Sequence, residues 1–465
     1  MKIAVVGSGY VGLVAGACFA ELGHSVEVVD NDPGKLAALQ EGQVPIHERF
    51  LPELLQRHRG RRLSFTGDLG RAVRASSAVF IAVGTPPTED GEADLSYVES
   101  VAREIAGSID SYKVVVEKST VPVYTSTWVR RIMLLNGVPP GLFDVASNPE
   151  FLREGTAATD FLFPDRIVIG ADTERGAARL RECYLPLLSG DYYKRHDAIP
   201  APDQARIPPR LIQTSAKSAE LIKHASNAFL ALKISFVNAV ASICESVGAN
   251  VDQVVRGIGS DSRIGPRFLS PGIGYGGSCF PKDLLAFRSV ARDCGYDFRL
   301  LDEVIRINEE QRQRFLRKVR KALWTLKGKR IAVLGLAFKG GTDDVRESPA
   351  ISIVHSLLRE GCEVVAYDPA ATGRAAELLP ARGMAFADSA YGAVQQADAV
   401  LILTDWEEFA ALDLDRIRLG LRYPIVIDGR NLYDPQAMAA RGLVYFSIGR
   451  PDAIPEPVVA SMKAA

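Results

Sequence analysis

Along the first thirty residues the spacing of apolar positions changes twice. An unbroken apolar run (IAVV, from Ile3) gives way to the glycine-rich GSGYVG, then to LVAGACFAEL with helical spacing, then to SVEVVD, which ends on Asp30. Strand, glycine turn, helix, strand is a βαβ unit, because strands apolar on both faces need helices on both sides of a parallel sheet. Apolar runs at 79 to 83 (VFIAV) and 113 to 116 (KVVV), each followed by small or turn-forming residues, continue the sheet. A first domain over residues 1–200 is predicted.

From 211 to 257 a proline-free stretch carries helical periodicity. In its centre Leu221, Phe229, Leu230, Ile234, Phe236 and Val237 place apolar groups on more than one face, which predicts burial between domains or against a second subunit. A homodimer built around this helix is the expected assembly. The last part of the chain repeats the first: KRIAVLGLAFK at 329 to 339 parallels KIAVVGSGYVG, EVVAYDP parallels EVVDNDP, AVLILTDW parallels AVFIAVGT, and YPIVIDGR parallels YKVVVEKS. The expected fold is α/β, with two Rossmann-like doubly wound parallel-sheet domains joined by a long central helix. The divisions are 1–200, a central helical segment 211–325, and 326–465. Ligands of open parallel sheets sit at the carboxyl ends of strands, so two such domains facing each other provide a pocket for a cofactor and another for a nucleotide-bearing substrate.

Composition narrows the class. With 465 residues, 47% of them hydrophobic and 24% charged, the chain has apolar surface for several cores. Fifty-five basic against 56 acidic residues leave a net charge of -1, no field for nucleic acid or an anionic membrane. Cysteines 18, 183, 244, 279, 294 and 362 show no CxxC spacing and the histidines are dispersed, so neither a disulfide framework nor a metal site is expected. The chain opens directly on a strand, with no room for a signal peptide, and no uninterrupted apolar run is long enough to span a membrane. A cytoplasmic protein is predicted.

Gly7, Gly9 and Gly12 form GxGxxG between a strand and a helix, where backbone amides can approach a pyrophosphate. Asp30, at the end of the second strand, is placed to accept from a ribose diol and to repel a 2′-phosphate, which favours NAD over NADP. The corresponding loop of the second unit, GLAFKGG, is degenerate, and its Lys339 could reach a phosphate or simply be a solvated loop lysine.

The segment PGIGYGGSCFPKD, 271 to 283, carries the densest chemistry. Pro281 predicts a helix starting just after Cys279. That puts the thiol at the positive end of a helix with Lys282 near it, conditions that make a nucleophile. Gly265, Gly272, Gly274, Gly276 and Gly277 would let backbone approach a ligand. The other five cysteines are expected to be small buried hydrophobes. Lys223 and Asn227 share a helix face and could stabilise an oxyanion. Glu150 and Glu154 would share one if NPEFLREGTA is helical, though spacing alone does not decide any of these four roles.

These residues resemble the UDP-glucose 6-dehydrogenases, within the UDP-glucose/GDP-mannose dehydrogenase family. The matching stretches are GSGYVGLVAGACFAELGHSVEVVD, VGTPP, EKSTVPV, SNPEFLREGTAATDFLFPDRIVIG, SAELIKHASNAFLALKISFVNAVAS, GYGGSCFPKD, LGLAFKGGTDDVRES and DGRNLYD, in order along nearly the whole chain. The resemblance implies Cys279 as nucleophile, Lys223 and Asn227 as stabilisers of the tetrahedral species, and Asp283, Thr120 and Glu150 positioning and activating a water. It implies NAD contacts from Tyr10, Val11, Asp30, Lys35, Thr85, Thr120, Glu154, Lys282 and Arg346, beside the three glycines. It places Glu150, Phe151, Leu152, Arg153, Lys223, Asn227, Arg263, Phe268, Leu269, Ser270, Pro271, Gly272, Gly276, Lys339 and Arg430 around a UDP-sugar, with Arg263 reaching across a dimer.

The implied reaction is two-step oxidation of UDP-glucose to UDP-glucuronate through a Cys-linked thiohemiacetal and thioester. GDP-mannose or a UDP-N-acetylhexosamine is the alternative substrate. A single-step β-hydroxyacid dehydrogenase would need neither Cys279 nor a second nucleotide domain, and a non-catalytic NAD-binding regulator would not need Lys223, Asn227, Cys279 and Asp283 together. One departure is the proline-rich segment from about 190 to 215, longer than the family's usual connection and expected to be a loop insertion.

Overall fold

Eight strands build the first sheet of the computed structural model, which describes residues 1–88, 91–202 and 208–456. They are β1 (Lys2–Val6), β2 (Ser25–Val29), β3 (Leu63–Thr66), β4 (Ala78–Ile81), β5 (Lys113–Glu117), β6 (Phe143–Ser147), β7 (Arg166–Ala171) and β8 (Arg210–Thr214). Their order is β3-β2-β1-β4-β5-β6-β7-β8, with every pair parallel except β6 and β7. The direction of winding reverses between β1 and β4, and a crevice opens at the carboxyl ends of strands where this happens. Alternate residues of β1 serve opposite layers: Ile3 and Val5 pack with Leu13, Val14 and Phe19, while Ala4 and Val6 pack with Val73, Val98 and Val115. Both faces are therefore buried, as the unbroken apolar runs require.

The second sheet contains β9 (Arg330–Leu334), β10 (Glu363–Tyr367), β11 (Met384–Phe386), β12 (Ala399–Ile402), β13 (Ile425–Asp428) and β14 (Val444–Phe446), in the order β11-β10-β9-β12-β13-β14. All its pairs are parallel, and the reversal between β9 and β12 matches that between β1 and β4. The internal repeat in the sequence is thus a repeat of topology. Each sheet lies in its own compact unit. One comprises Met1–Ser226 with Leu285–Tyr296, and the other Asn227–Leu284 with the residues from Asp297 onward. In packing terms the middle of the chain is shared between them.

The long helix runs from Ala216 to Val247, shorter at both ends than its periodicity suggests. Residues 211–214 belong to β8, which pairs with β7. At the other end Gly248 takes φ +74°, and a separate helix, Val251–Gly259, starts behind Asn250, whose side chain accepts from Asp252 N. By length and composition this helix could cross a membrane, although polar residues such as Lys233 and Asn238 interrupt its apolar run. However, 44% of its apolar stretch is buried. Val237, Ala241 and Cys244 pack into the core of the second unit with Phe315 and Ile273.

The segment 190–215 is more than a loop. Its residues 203–207 lie outside the described residues, but Tyr192–Lys194 form a single 3₁₀ turn and Arg210–Thr214 form β8. Tyr192 is fully buried among Phe163 and Tyr193. Arg195 Nη2 reaches the buried Glu21 carboxylate at 3.2 Å, which also receives His58 Nε2 at 2.6 Å and Arg57 Nη1 at 3.0 Å. The extension is fastened to the first sheet's covering helix.

Candidate active site

The three glycines of the first turn do different work. Gly7 takes φ +103°, and a Cβ there would stand 2.6 Å from Ala82 O. At Gly12 a Cβ would meet Gly7 O at 1.9 Å, so both are needed to pack the turn against the helix Tyr10–Glu21. Gly9, at the N-cap of that helix, has nothing within 4 Å of where a Cβ would stand. This is the open face through which a pyrophosphate could reach backbone amides, and it fits a dinucleotide. Asp30 closes the turn. Its Oδ2 accepts from Ser8 N at 2.8 Å and Ser8 Oγ at 2.5 Å, and its Oδ1 from Asp32 N at 3.0 Å. Burial works against its ionisation, but the bonds from Ser8 and Asp32 outweigh it and hold the carboxyl below its ordinary value.

Val11 is half-buried and Lys35 is exposed near the start of the following helix. Thr85 Oγ1 donates to Thr120 O at 2.9 Å, joining the loops beyond β4 and β5. Tyr10 donates its hydroxyl to Glu48, and Gly155 N donates to both, at 3.0 Å to the tyrosine and 2.8 Å to the carboxylate. Burial raises the Glu48 carboxyl above its usual range. Glu48 ties the glycine turn to the 150–155 loop, a role hidden in the sequence because its partners lie 38 and 107 positions away.

Residues 148–156 are not helical, so Glu150 and Glu154 do not share a helix face; the helix starts only at Ala157. The cause is local: Glu150 Oε2 accepts from Leu152 N at 2.6 Å, and Asp160 Oδ2 accepts from Arg153 N at 2.8 Å, bonds that replace helical ones. Glu150 Oε1 pairs with Lys223 Nζ at 2.8 Å, both side chains almost fully buried. Phe151 lies beneath the Lys223 ammonium at 5.6 Å and beneath Arg166 at 3.9 Å. Leu152 is half-buried and Glu154 buried, while Arg153 is exposed and forked on Asp160. Beside this pair Lys118, which the sequence reading passed over, is buried against Asn148 and Tyr184.

In the second unit Cys279 is half-buried at the residue before the helix Phe280–Asp293, as Pro281 indicated. Ser278 Oγ is 3.7 Å from its sulfur, and its carbonyl accepts from Asp283 N at 2.9 Å. Asp283 is buried, taking Asn227 Nδ2 on Oδ2 at 2.6 Å with Lys282 Nζ 3.2 Å from Oδ1. Of the remaining cysteines four are buried, but Cys294 is exposed, against expectation, in the turn after that helix.

At four of the five glycines ahead of Cys279 the space a Cβ would take is filled by other parts of the chain. A Cβ at Gly274 would meet Asn308 Oδ1 at 2.7 Å, at Gly276 Glu347 O at 2.3 Å, and at Gly277 the Phe338 ring at 2.8 Å. Gly272 is similarly close to Gly429 O at 3.0 Å; only Gly265 faces open space. Three buried amides hold the strand of glycines in place: Asn238 Oδ1 accepts from Gly272 N, Gln311 Nε2 donates to Gly272 O, and Asn308 brackets Tyr275 through its N and O.

Leu269, Pro271, Gly272 and Gly276 are buried, Phe268 is half-buried with φ +62°, and Ser270 is exposed. Arg430 donates to Leu403 O at 2.9 Å and Phe338 O at 2.6 Å, and Lys339 stands 5.7 Å over the Phe338 ring. Two cations thus gather at the carboxyl ends of β9 and β12. Arg263 and Arg346 are exposed and forked on Asp261 and Asp344 through Nε and Nη2. Asp368, the counterpart of Asp30, is buried and accepts from Leu336 N, Ala337 N, Ala370 N, Ala371 N and Trp406 Nε1. With its acceptors consumed internally, Asp368 is not the half-exposed carboxylate that suits a ribose diol.

Comparison with known proteins covers most of the chain. Residues 1–188 match the NAD binding domain of the UDP-glucose/GDP-mannose dehydrogenase family, 217–310 its central domain and 332–435 its UDP binding domain. The UDP-glucose 6-dehydrogenase of Rhizobium meliloti is 48% identical over 457 residues, covering 97% of this chain and 100% of that protein. The UDP-glucose 6-dehydrogenase TuaD of Bacillus subtilis is 46% identical over 451 residues, 97% of this chain and 93% of that one. Among solved structures, a UDP-glucose dehydrogenase from Pyrobaculum islandicum superimposes with a TM-score of 0.85 at 38% identity, covering 97% of this chain and 98% of that one.

Proposed function

The chain belongs to the UDP-glucose/GDP-mannose dehydrogenase family, whose members are NAD-dependent dehydrogenases, and we propose that it oxidises UDP-glucose to UDP-glucuronate in two steps through a covalent bond to Cys279. The observation that carries this reading is the placement of Cys279: half-exposed, at the positive end of a fourteen-residue helix, one turn before a buried Asp283 already bonded to Asn227. Relatives at 46% and 48% identity that oxidise UDP-glucose support the substrate.

Gly9, Asp30, Thr85 and Thr120 would hold NAD in the first unit, where it would supply the acceptor for a hydride from C6 of the sugar in each of two rounds. After the first oxidation the Cys279 thiolate adds to the C6 aldehyde, forming a C–S bond, while Lys223 and Asn227 stabilise the resulting oxyanion. Loss of the second hydride leaves a thioester. Glu150, Asp283 and Thr120 orient a water that attacks it, the C–S bond breaks, and the thiolate is regenerated. One alcohol, one water and two NAD thus become one carboxylate, two NADH and three protons. Lys339 and Arg430 neutralise the diphosphate, and Arg263 reaches the substrate of a second subunit.

That second subunit is proposed to pack on the long helix. Phe229, Phe236, Ile243 and Val247 recur every seven or four residues and are all more than half exposed, a stripe whose spacing suits a helix–helix seam. The stripe is assigned to a second copy and not to lipid, and a cytoplasmic location fits the free thiols of Cys18, Cys183, Cys244, Cys294 and Cys362.

The test is NADH formed per nucleotide sugar consumed, with UDP-glucose, GDP-mannose and UDP-N-acetylmannosamine. Two NADH per UDP-glucose is expected. A preference for either other sugar reassigns the substrate, and one NADH per sugar removes the covalent step.

A further inference from the structure

Lys118 occupies an unusual place for an ammonium. It follows β5 directly, is 4% exposed, and its Nζ donates to Asn148 Oδ1 at 2.9 Å and to Tyr184 OH at 3.4 Å. The Phe161 and Tyr184 rings lie 5.7 and 6.0 Å from it. Both polar partners are neutral: Asn148 is an amide also held by Val168 O, and burial pushes the Tyr184 phenol well above its ordinary value. Among the described residues no carboxylate forms an ion pair or hydrogen bond with the amine. The charged groups that act on it are Glu150, two residues beyond Asn148, and Lys223 from the long helix. Two lysines therefore share the influence of one buried carboxylate, and Lys223 alone has the contact.

We propose that Lys118 is a positioning residue for the oxidation, a buried amine whose gain or loss of a proton sets the ionisation of the Glu150–Lys223 pair. When Lys118 is neutral, the pair stands alone with its charges balanced. When Lys118 is protonated, a second cation stabilises the Glu150 carboxylate, making it a weaker acceptor for the proton of the attacking water, and discourages Lys223 from holding its own proton. Burial, reinforced by Lys223 and opposed by Glu150, pushes the Lys118 amine down to about 7. Asn148 carries the geometric half of the role, since it bridges Lys118 and Tyr184 and stands two residues before Glu150.

The inference rests on the proposed function, and the experiment separates the two. Turnover of UDP-glucose is followed from pH 5.5 to 9 in the wild type, Lys118→Met and Lys118→Arg. Wild-type kcat should fall on the acid side of about 7, since one unit lower only roughly a tenth of the amine is neutral. Lys118→Met, which imitates the neutral amine, should lose that acid limb. Lys118→Arg, charged throughout, should stay near the low acid value at every pH, with KM for both nucleotides little changed in each variant. If the wild type makes no NADH from any nucleotide sugar, the functional reading fails. If it does, and both variants lose activity in parallel with the acid limb unmoved, Lys118 only packs and the inference is overturned. Should the variants not fold, the wild type decides: a lysine ¹³Cε resonance titrating near pH 7 supports the proposal, and lysines all titrating above about 9 overturn it.

Discussion

Lys223 Nζ stands 2.8 Å from Glu150 Oε1, with 4% and 5% of the two side chains exposed. Removing either partner strands the other charge away from water, which costs about 3–5 kcal/mol, whereas removing both is far less costly. Lys223→Met and Glu150→Gln should each lower the stability of the protein in urea by that order. The double variant should fall short of the summed losses by more than about 1 kcal/mol. Additive losses would show that the pair is solvated and weakly coupled.

Cys279→Ser should bind both nucleotides with near-native affinity and make almost no acid. Serine keeps the size and the hydrogen-bonding reach of the side chain, but at neutral pH its hydroxyl lacks the thiolate fraction that adds to an aldehyde. Mass spectrometry of the wild type quenched during turnover should show a sugar-nucleotide adduct on Cys279, absent from the variant. Full acid production by the serine variant would remove the covalent step.

Much of this site was legible in the sequence where a local rule applied. Gly7, Gly9, Gly12 and Asp30 obey the spacing of a strand–turn–helix–strand unit, and Pro281 marked the helix after Cys279. What escaped depended on distant partners. Lys118 reads as an ordinary lysine at the end of VVVEK until Asn148 and Tyr184, 30 and 66 residues later, enclose it. Helical periodicity ran on through residues 211–214 because RLIQT alternates too weakly to announce β8, which owes its existence to pairing with β7. The glycines before Cys279 looked open to a ligand, but their space is taken by Asn308, Glu347 and Phe338, all supplied by later parts of the chain.

Asp30 should control the choice between dinucleotides. Its carboxylate is half-buried and held below its ordinary value by Ser8 and Asp32 despite the opposing effect of burial. It should therefore be charged, and repel a 2′-phosphate, at neutral pH. Asp30→Ser should lower kcat/KM with NAD and raise it with NADP, changing the ratio by at least about tenfold, or 1.4 kcal/mol. A lowered carboxyl value contributes stability above the unfolded value, lost as pH falls through the folded one. The variant should therefore differ least from the wild type in strong acid. An unchanged NAD to NADP ratio would remove Asp30 from the ribose site.

Phe229 and Phe236, 61% and 52% exposed, are the residues on which the proposed helix seam depends. Phe236→Glu should place a charge in the seam and shift a dimer toward monomer at micromolar concentration in sedimentation velocity. Lys217→Glu, a charge change on the same helix near its start, serves as the control and should leave the dimer intact. A wild type that sediments only as monomer would exclude this assembly.

The buried carboxyls of Glu117, at the end of β5, and Glu220, on the long helix, provide a pH test of the same region. Glu220 accepts from Tyr124 N and Ser126 N, each at 2.8 Å, and the buried Glu117 carboxyl meets that of Glu220. Burial, with Glu220 adding to it, pushes Glu117 well above its ordinary value; burial raises Glu220 as well. A carboxyl raised on folding binds its proton in the native state over a range where the unfolded chain has already released it. Stability therefore declines as pH rises from the unfolded value of about 4.3, by up to about 1.4 kcal/mol per pH unit for one proton, until the folded value is passed. Glu117→Gln keeps the shape and has no proton to lose. Its melting temperature should exceed that of the wild type at pH 8, with the gap shrinking toward pH 5; a gap that does not vary with pH would mean that Glu117 is ionised in the folded protein.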